Sequence, residues 1–127
     1  MHITKSTKRV LIVEDDMIIS MVLERMLQKL NFTVIDKVTT GKKAIRLTAE
    51  TEPDIILMDI QLKDQIDGIT AMEKIREHSC VPVIYITGNS DEYYLKRARN
   101  TNYVDYLVKP IQIEDLKEAL QKVTPEY

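Results

Sequence analysis

A single cysteine, Cys80, in a chain of 127 residues excludes an internal disulfide framework, and a reducing, cytoplasmic setting is the expectation. Long hydrophobic runs are missing. None approaches the roughly 20 residues that a membrane-spanning helix needs, and the polar stretch Met1 to Lys8 lacks the apolar segment of a signal peptide. Neither sign of charge is in clear excess. Eighteen basic residues face 20 acidic ones, for a net charge of -2, whereas a dedicated nucleic-acid binder usually carries a basic excess or stripe. No direct nucleic-acid or membrane partner is therefore expected. Glycine (3) and proline (4) are scarce and fall between periodic segments, and there is no internal repeat, low-complexity stretch or linker. The length suits one domain. We expect a single domain over 1–127 with its core from about 8 to 123, a loose lead-in through Lys8, a short tail from Thr124 to Tyr127, and no output domain in this chain.

What is present is a hydrophobic fraction of 44%, enough for a packed core, and charged residues at 30%, enough for a polar surface. Short apolar runs alternate with helical patterns. Val10 to Val13 is an apolar run that stops at Glu14, Asp15 and Asp16; Asp16 stands where a helix N-cap belongs. Ile19, Leu23, Met26, Leu27 and Leu30 then share one helical face. Thr33 to Val38 is β-branched and reads as a strand. A turn near Thr40 and Gly41 leads to a helix over Lys42 to Glu50, which Pro53 stops. Asp54 to Met58 is a third strand, ending at Asp59. A polar loop, Gln61 to Asp67, opens a helix with Ile69, Met72 and Ile75. Val83 to Ile86 is a fourth strand, ending at Thr87. Asp91 to Asn100 is a weaker helix in which Tyr94, Leu95 and Ala98 face inward. Val104 to Val108 is a fifth strand, ending at Lys109 and Pro110. A last helix carries Ile113, Leu116, Leu120 and Val123. Five strands alternating with five helices predict an α/β fold with a mostly parallel sheet. The continuous apolar runs at Val10, Asp54 and Val83 predict strands covered on both faces.

In a doubly wound sheet the carboxyl ends of the strands lie on one edge, where ligands bind. Glu14 and Asp15, Asp59, Thr87 and Lys109 all occupy such ends. Taken singly, an Asp after a strand is a turn or cap residue, a Lys before Pro is a solvated charge, and a Thr at a strand end is a β-former. Taken together at four ends of one edge, they make a site. Three carboxylates side by side repel one another unless a cation offsets them. Oxygen ligands with open coordination positions suit Mg²⁺. Lys109 adds a point charge and Thr87 a hydroxyl donor. A carboxylate flanked by a metal, a lysine and a hydroxyl fits phosphoryl transfer, which is mostly positioning and charge neutralisation.

Five segments carry a resemblance: Val10-Leu11-Ile12-Val13-Glu14-Asp15-Asp16, Pro53-Asp54-Ile55-Ile56-Leu57-Met58-Asp59, Asp67-Gly68, Pro82-Val83-Ile84-Tyr85-Ile86-Thr87-Gly88 and Tyr106-Leu107-Val108-Lys109-Pro110. As an ordered set, spanning about Lys8 to Val123, the pattern resembles the receiver domain of two-component response regulators. The resemblance implies a flavodoxin-like (βα)5 doubly wound sheet of five parallel strands in the order 2-1-3-4-5. It implies Asp59 as phosphoacceptor, Asp15 as a direct Mg²⁺ ligand, Glu14 acting mainly through water, and the backbone carbonyl of Gln61 as a further ligand. Thr87, helped by the Gly88 N–H, would bind a phosphoryl oxygen, and Lys109 would pair with the phosphoryl group. Tyr106 resembles the switch aromatic; read without the family it is a half-buried strand tyrosine. Gln61 and Asn89 would tune hydrolysis. The donor would be a phosphohistidine on a sensor histidine kinase or phosphotransfer protein, and the output a downstream protein or output domain. The resemblance also allows a dimer that forms on phosphorylation. No separate substrate would be turned over, so the chain is not expected to be an enzyme in that sense. His2 and His78 read as surface residues and Cys80 as a small core or strand-edge residue.

The chain departs from the family pattern in places. The loop from Asp59 to Asp67 looks one residue longer than usual, Lys63 stands where proline is usual, Asn102-Tyr103 replaces Gly-Ala, and Ile111 follows Pro110 where Phe is common. Asn102 can take the left-handed conformation that stops a helix. These changes concern the output face more than the acidic site. Other readings fit less well. An aspartyl phosphatase usually carries a second Asp two residues after its nucleophile, where this chain has Gln61. A nucleotide-binding module needs a glycine-rich loop after strand one, where this chain has Glu14-Asp15-Asp16. A degenerate receiver used only for docking would lack motif residues that are all present here.

Overall fold

The computed structural model describes residues 8–88 and 91–123. The expectations for the lead-in before Lys8, His2, Asn89 and the tail from Thr124 fall outside the described residues. Ten elements alternate along the chain: β1 Arg9–Val13, α1 Met17–Lys29, β2 Thr33–Val38, α2 Gly41–Thr51, β3 Ile55–Asp59, α3 Gly68–Ile75, β4 Val83–Thr87, α4 Glu92–Arg99, β5 Asp105–Val108 and α5 Ile113–Val123. The strands form one sheet in the order β2-β1-β3-β4-β5, and every pairing is parallel. This is the mostly parallel α/β sheet that the sequence pattern predicts, in the flavodoxin-like strand order that the resemblance implies.

Strand side chains alternate between two cores because successive residues point to opposite faces. Leu11, Val13, Ile56, Met58, Val83 and Tyr85 pack with Ala44 of α2, Ile69 and Met72 of α3, and Ala98 of α4. Val10, Ile12, Ile55, Leu57, Ile84 and Ile86 pack with Leu23 and Leu27 of α1 and with Leu116, Ala119 and Leu120 of α5. Every residue of β3 and β4 is buried, as continuous rather than alternating apolar runs require. β2, at the sheet's margin, is largely exposed.

Short polar residues set the helix starts. Asp16 accepts from Ile18 and Ile19 N–H, Thr40 from Lys43 N–H, Asp67 from Thr70 N–H and Asp91 from Tyr93 N–H, each satisfying a donor the helix cannot. Asn102 follows α4 with φ 55°, the left-handed conformation anticipated for it. Of the two places expected for Cys80, core or strand edge, the core is excluded. It is exposed, while Val81 takes the inward place, 8% exposed, with its N–H bound to Ser79 Oγ at 3.1 Å. His78 is exposed as expected. Among the described residues no helix is long and apolar enough to cross a membrane.

Candidate functional site

The sheet brings the predicted strand-end residues to one edge. β1 delivers Glu14 and Asp15. The Glu14 N–H donates to Val38 O at 3.0 Å, and its Oε2 accepts from Asp16 N–H at 3.0 Å, so the acidic turn is fixed before α1 begins. β3 delivers Asp59, 2% exposed, and β4 delivers the buried Thr87. The Thr87 carbonyl accepts from Lys109 N–H at 2.7 Å, which ties the end of β5 to the end of β4. The peptide bond that follows, Lys109-Pro110, is cis.

From there the Lys109 Nζ reaches 2.9 Å from Glu14 Oε1 and 3.4 Å from Asp59 Oδ2. Glu14 Oε1 is buried and has no partner of hydrogen-bond geometry; its contact with the ammonium is an ion pair. Burial pushes the Glu14 carboxyl up to about 7, opposed by the Asp16 N–H and Lys109 and reinforced by the Asp59 charge. Burial pulls the Lys109 ammonium down, but Glu14 and Asp59 together outweigh it and hold the group above its usual range. Lys109 is therefore charged at neutral pH.

Glu14, Asp15 and Asp59 each present a carboxylate oxygen, and these lie within 4.8 Å of one another. When all three are ionised, three carboxylates against one ammonium leave a formal deficit equal to the charge of one divalent cation. The donors are all oxygen, one of them buried without a hydrogen bond. That set fits a hard cation such as Mg²⁺ or Ca²⁺.

Gln61 is exposed, and its backbone N–H donates to Asp59 Oδ1 at 3.2 Å. Gly88 is exposed, with open space where a Cβ would stand. Tyr106 is not at the strand end. It pairs in register with Tyr85 of β4, is half-buried, and packs its ring 6.5 Å from Tyr85 and 6.0 Å from Tyr103. Burial raises its phenol pKa. The Tyr103 that replaces alanine in the family pattern thus lies directly against Tyr106.

Two contacts at the site had no reading in the sequence. The Lys63 N–H donates to Asp15 Oδ2 at 3.0 Å, a bond that a proline there could not make. Gly68 N–H donates to Ile60 O at 2.8 Å, and a Cβ on Gly68 would overlap the Asp59 carbonyl oxygen and stand 2.8 Å from Met58 Cγ. The Asp67-Gly68 pair was visible as a motif, but its job, letting α3 start against the backbone of Asp59, was not.

Residues 10–121 match the family described as the response regulator receiver domain. The chain is 33% identical over 120 residues to the transcriptional regulatory protein PdtaR of Mycobacterium tuberculosis, covering 94% of this chain and 58% of that protein. It is 38% identical over 114 residues to the probable C4-dicarboxylate response regulator DctR of Halalkalibacterium halodurans, covering 88% of this chain and 49% of that one. It thus spans about half to three-fifths of the length of these two relatives. Among solved structures, the receiver domain of a sensor histidine kinase from Pseudomonas aeruginosa PAO1 superposes with a TM-score of 0.84 at 31% identity, covering 94% of this chain and 99% of that one, and has a magnesium ion coordinated in its active-site cleft. The signal receiver domain of a modulated diguanylate cyclase from Desulfovibrio desulfuricans G20 gives a TM-score of 0.86 at 29% identity, covering 96% of this chain and all of the other. With fold, strand-end chemistry and sequence in agreement, this chain belongs to the response regulator receiver domain family of two-component systems.

Proposed function

We propose that the chain accepts a phosphoryl group on the Asp59 carboxylate from a phosphohistidine of a sensor histidine kinase or phosphotransfer protein. The single observation that carries this reading is the buried Asp59 carboxylate with the Lys109 ammonium 3.4 Å away and two further carboxylate oxygens within 4.8 Å. An Asp59 oxygen attacks phosphorus, the P–O bond forms as the P–N bond breaks, and the imidazole leaves. Lys109 neutralises developing charge on the phosphoryl oxygens and Thr87 donates its hydroxyl to one of them. Asp15, Asp59 and the Gln61 carbonyl would hold Mg²⁺, with Glu14 acting mainly through water, and the added positive charge would offset that of the phosphoryl oxygens. Support for this metal is the donor set and the magnesium in the Pseudomonas relative. Water later cleaves the acyl phosphate, and Gln61 and Asn89 would tune the rate of that step. No separate substrate is turned over.

The phosphoryl group adds charge and acceptor oxygens, and their differential contacts with Thr87 and Lys109 shift the population of the surface made by α4, β5 and α5, with Tyr106 as the switch aromatic. That surface addresses a downstream protein or an output domain, and a phosphorylation-dependent dimer would use it. The donor's place is next to Lys109. Met17, Ile18, Met21 and Val22 of α1 are exposed, and a groove of about 340 Å³ lined by Ile18, Val22, Met26, Pro110 and Ile111 runs up to Lys109. Its continuity with the reacting edge fits an apolar helix face of the protein that carries the phosphohistidine. A cytoplasmic location follows from that donor.

The test is phosphate incorporation from acetyl phosphate with Mg²⁺, read by intact mass. Wild-type protein should be labelled and Asp59→Asn should not. Persistent labelling of Asp59→Asn would refute the assignment.

A further inference from the structure

α4 is held by little apolar packing. Of its residues only Ala98 is buried, with Tyr94 partly buried against the core. A polar tie adds to that packing. From α4 the Arg97 guanidinium crosses to the start of α3: Nη1 donates to Asp67 Oδ2 at 2.7 Å, and Nη2 to Asp67 Oδ1 at 3.1 Å and to Thr70 Oγ1 at 3.1 Å. The Tyr93 ring lies beside it, its centroid 5.6 Å from the guanidinium carbon. A planar fork on a carboxylate is directional as well as strong, and both side chains are about three-quarters covered, with 26% and 24% exposure.

Asp67 has a second task, as N-cap of α3 through Thr70 N–H. The next residue, Gly68, lies against the Asp59 carbonyl and bonds to Ile60 O. A continuous run of short contacts therefore leads from α4 through Arg97, Asp67 and Gly68 to the backbone of Asp59.

We propose that Arg97 is a positioning residue that latches α4 to the start of α3 and couples the placement of α4 to the state of Asp59. The coupling rests on the proposed phosphorylation of Asp59; the latch itself does not. In the structure described here the latch is closed, so a rearrangement of α4 must give up the bidentate pair. The pair stabilises the resting arrangement and opposes the switched one.

The test combines amide hydrogen exchange with a titration of beryllofluoride, a stable stand-in for a phosphoryl group on a carboxylate, in the presence of Mg²⁺. The variants are Arg97→Met, Arg97→Lys, Asp67→Asn and the double variant Arg97→Met with Asp67→Asn; asparagine still caps a helix. In Arg97→Met and in Asp67→Asn the α4 amides should exchange about tenfold faster than in wild type, the size expected for losing a charged hydrogen-bonded pair. Both should bind beryllofluoride more tightly than wild type. The double variant should match either single one, because one interaction is removed in each, and Arg97→Lys should restore part of the wild-type behaviour. Unchanged exchange in both single variants would overturn the latch. Faster exchange with unchanged or weaker beryllofluoride binding would overturn the coupling. Failure of the wild type to bind beryllofluoride would overturn the phosphorylation reading and the coupling with it, while the exchange data still decide the latch.

Discussion

The α-carbon of Gly68 rests against the backbone carbonyl of Asp59, with no room between them for a methyl group. A Gly68→Ala chain must move either the start of α3 or the end of β3. Overpacking of this kind costs about 1–3 kcal/mol, and here the displaced atoms carry the acceptor. Urea denaturation should show that loss, and labelling by acetyl phosphate should fall well below wild type. Wild-type stability and labelling in Gly68→Ala would contradict the close contact.

Metal should stabilise the fold through the acidic cluster. A ligand at a hundred times its dissociation constant adds about 2.7 kcal/mol, so thermal unfolding should shift upward as Mg²⁺ is added. Asp15→Ala removes one of the three clustered oxygens and should flatten that response. An equal Mg²⁺ shift in Asp15→Ala would count against its role as a ligand.

The tie between α3 and α4 should depend on pH in a defined direction. Burial alone would raise the Asp67 carboxyl, but Arg97 and Thr70 outweigh it and hold it below its usual value. The groups facing the pair are Tyr93 on α4 and Glu73 on α3. For an acid whose folded pKa is depressed, the stabilisation is complete above the unfolded value, near 3.8, and is lost as pH falls through the folded one. Protection of α4 amides, followed by NMR during acid titration, should hold to about pH 4 and decline below it. Asp67→Asn should abolish that step, whatever other groups titrate. A step that survives the substitution would assign it elsewhere.

Donor size should separate chemistry from docking. Ile18 is 70% exposed and lines the groove that ends at Lys109. Ile18→Asp should leave labelling by acetyl phosphate unchanged, because a small donor needs no groove. Transfer from phosphorylated sensor kinase cores, profiled as a panel from the source genome, should fall by tenfold or more, about the effect of losing one well-buried interface anchor. Equal transfer to wild type and variant would remove α1 from the donor surface.

Much of this could be read from the sequence because each feature has a local signature. The fully covered strands announced themselves as continuous apolar runs, and the site as polar residues stopping those runs at Glu14, Asp59, Thr87 and Lys109. Asp16 was legible as a cap for the same reason. The contacts that escaped reading have no such signature. The Lys63 N–H on Asp15 is a backbone donor that every residue but proline supplies, so the lysine side chain gives no sign of it. The Arg97 pair with Asp67 joins residues on different helices, and an arginine on a weakly apolar helix reads as a solvated charge. For Cys80 the core alternative failed because, although a small thiol suits a core, the local geometry gives the inward place to Val81.

The orientation of Cys80 has a practical consequence. It is the only thiol in a chain that also has no tryptophan; it faces solvent, and it lies just before β4, at the end of the strand remote from Thr87. A maleimide dye or nitroxide attached there would be a one-position spectroscopic handle, set apart from the carboxylates and from the groove beside α1. The native chain thus offers a labelling point without engineered cysteines.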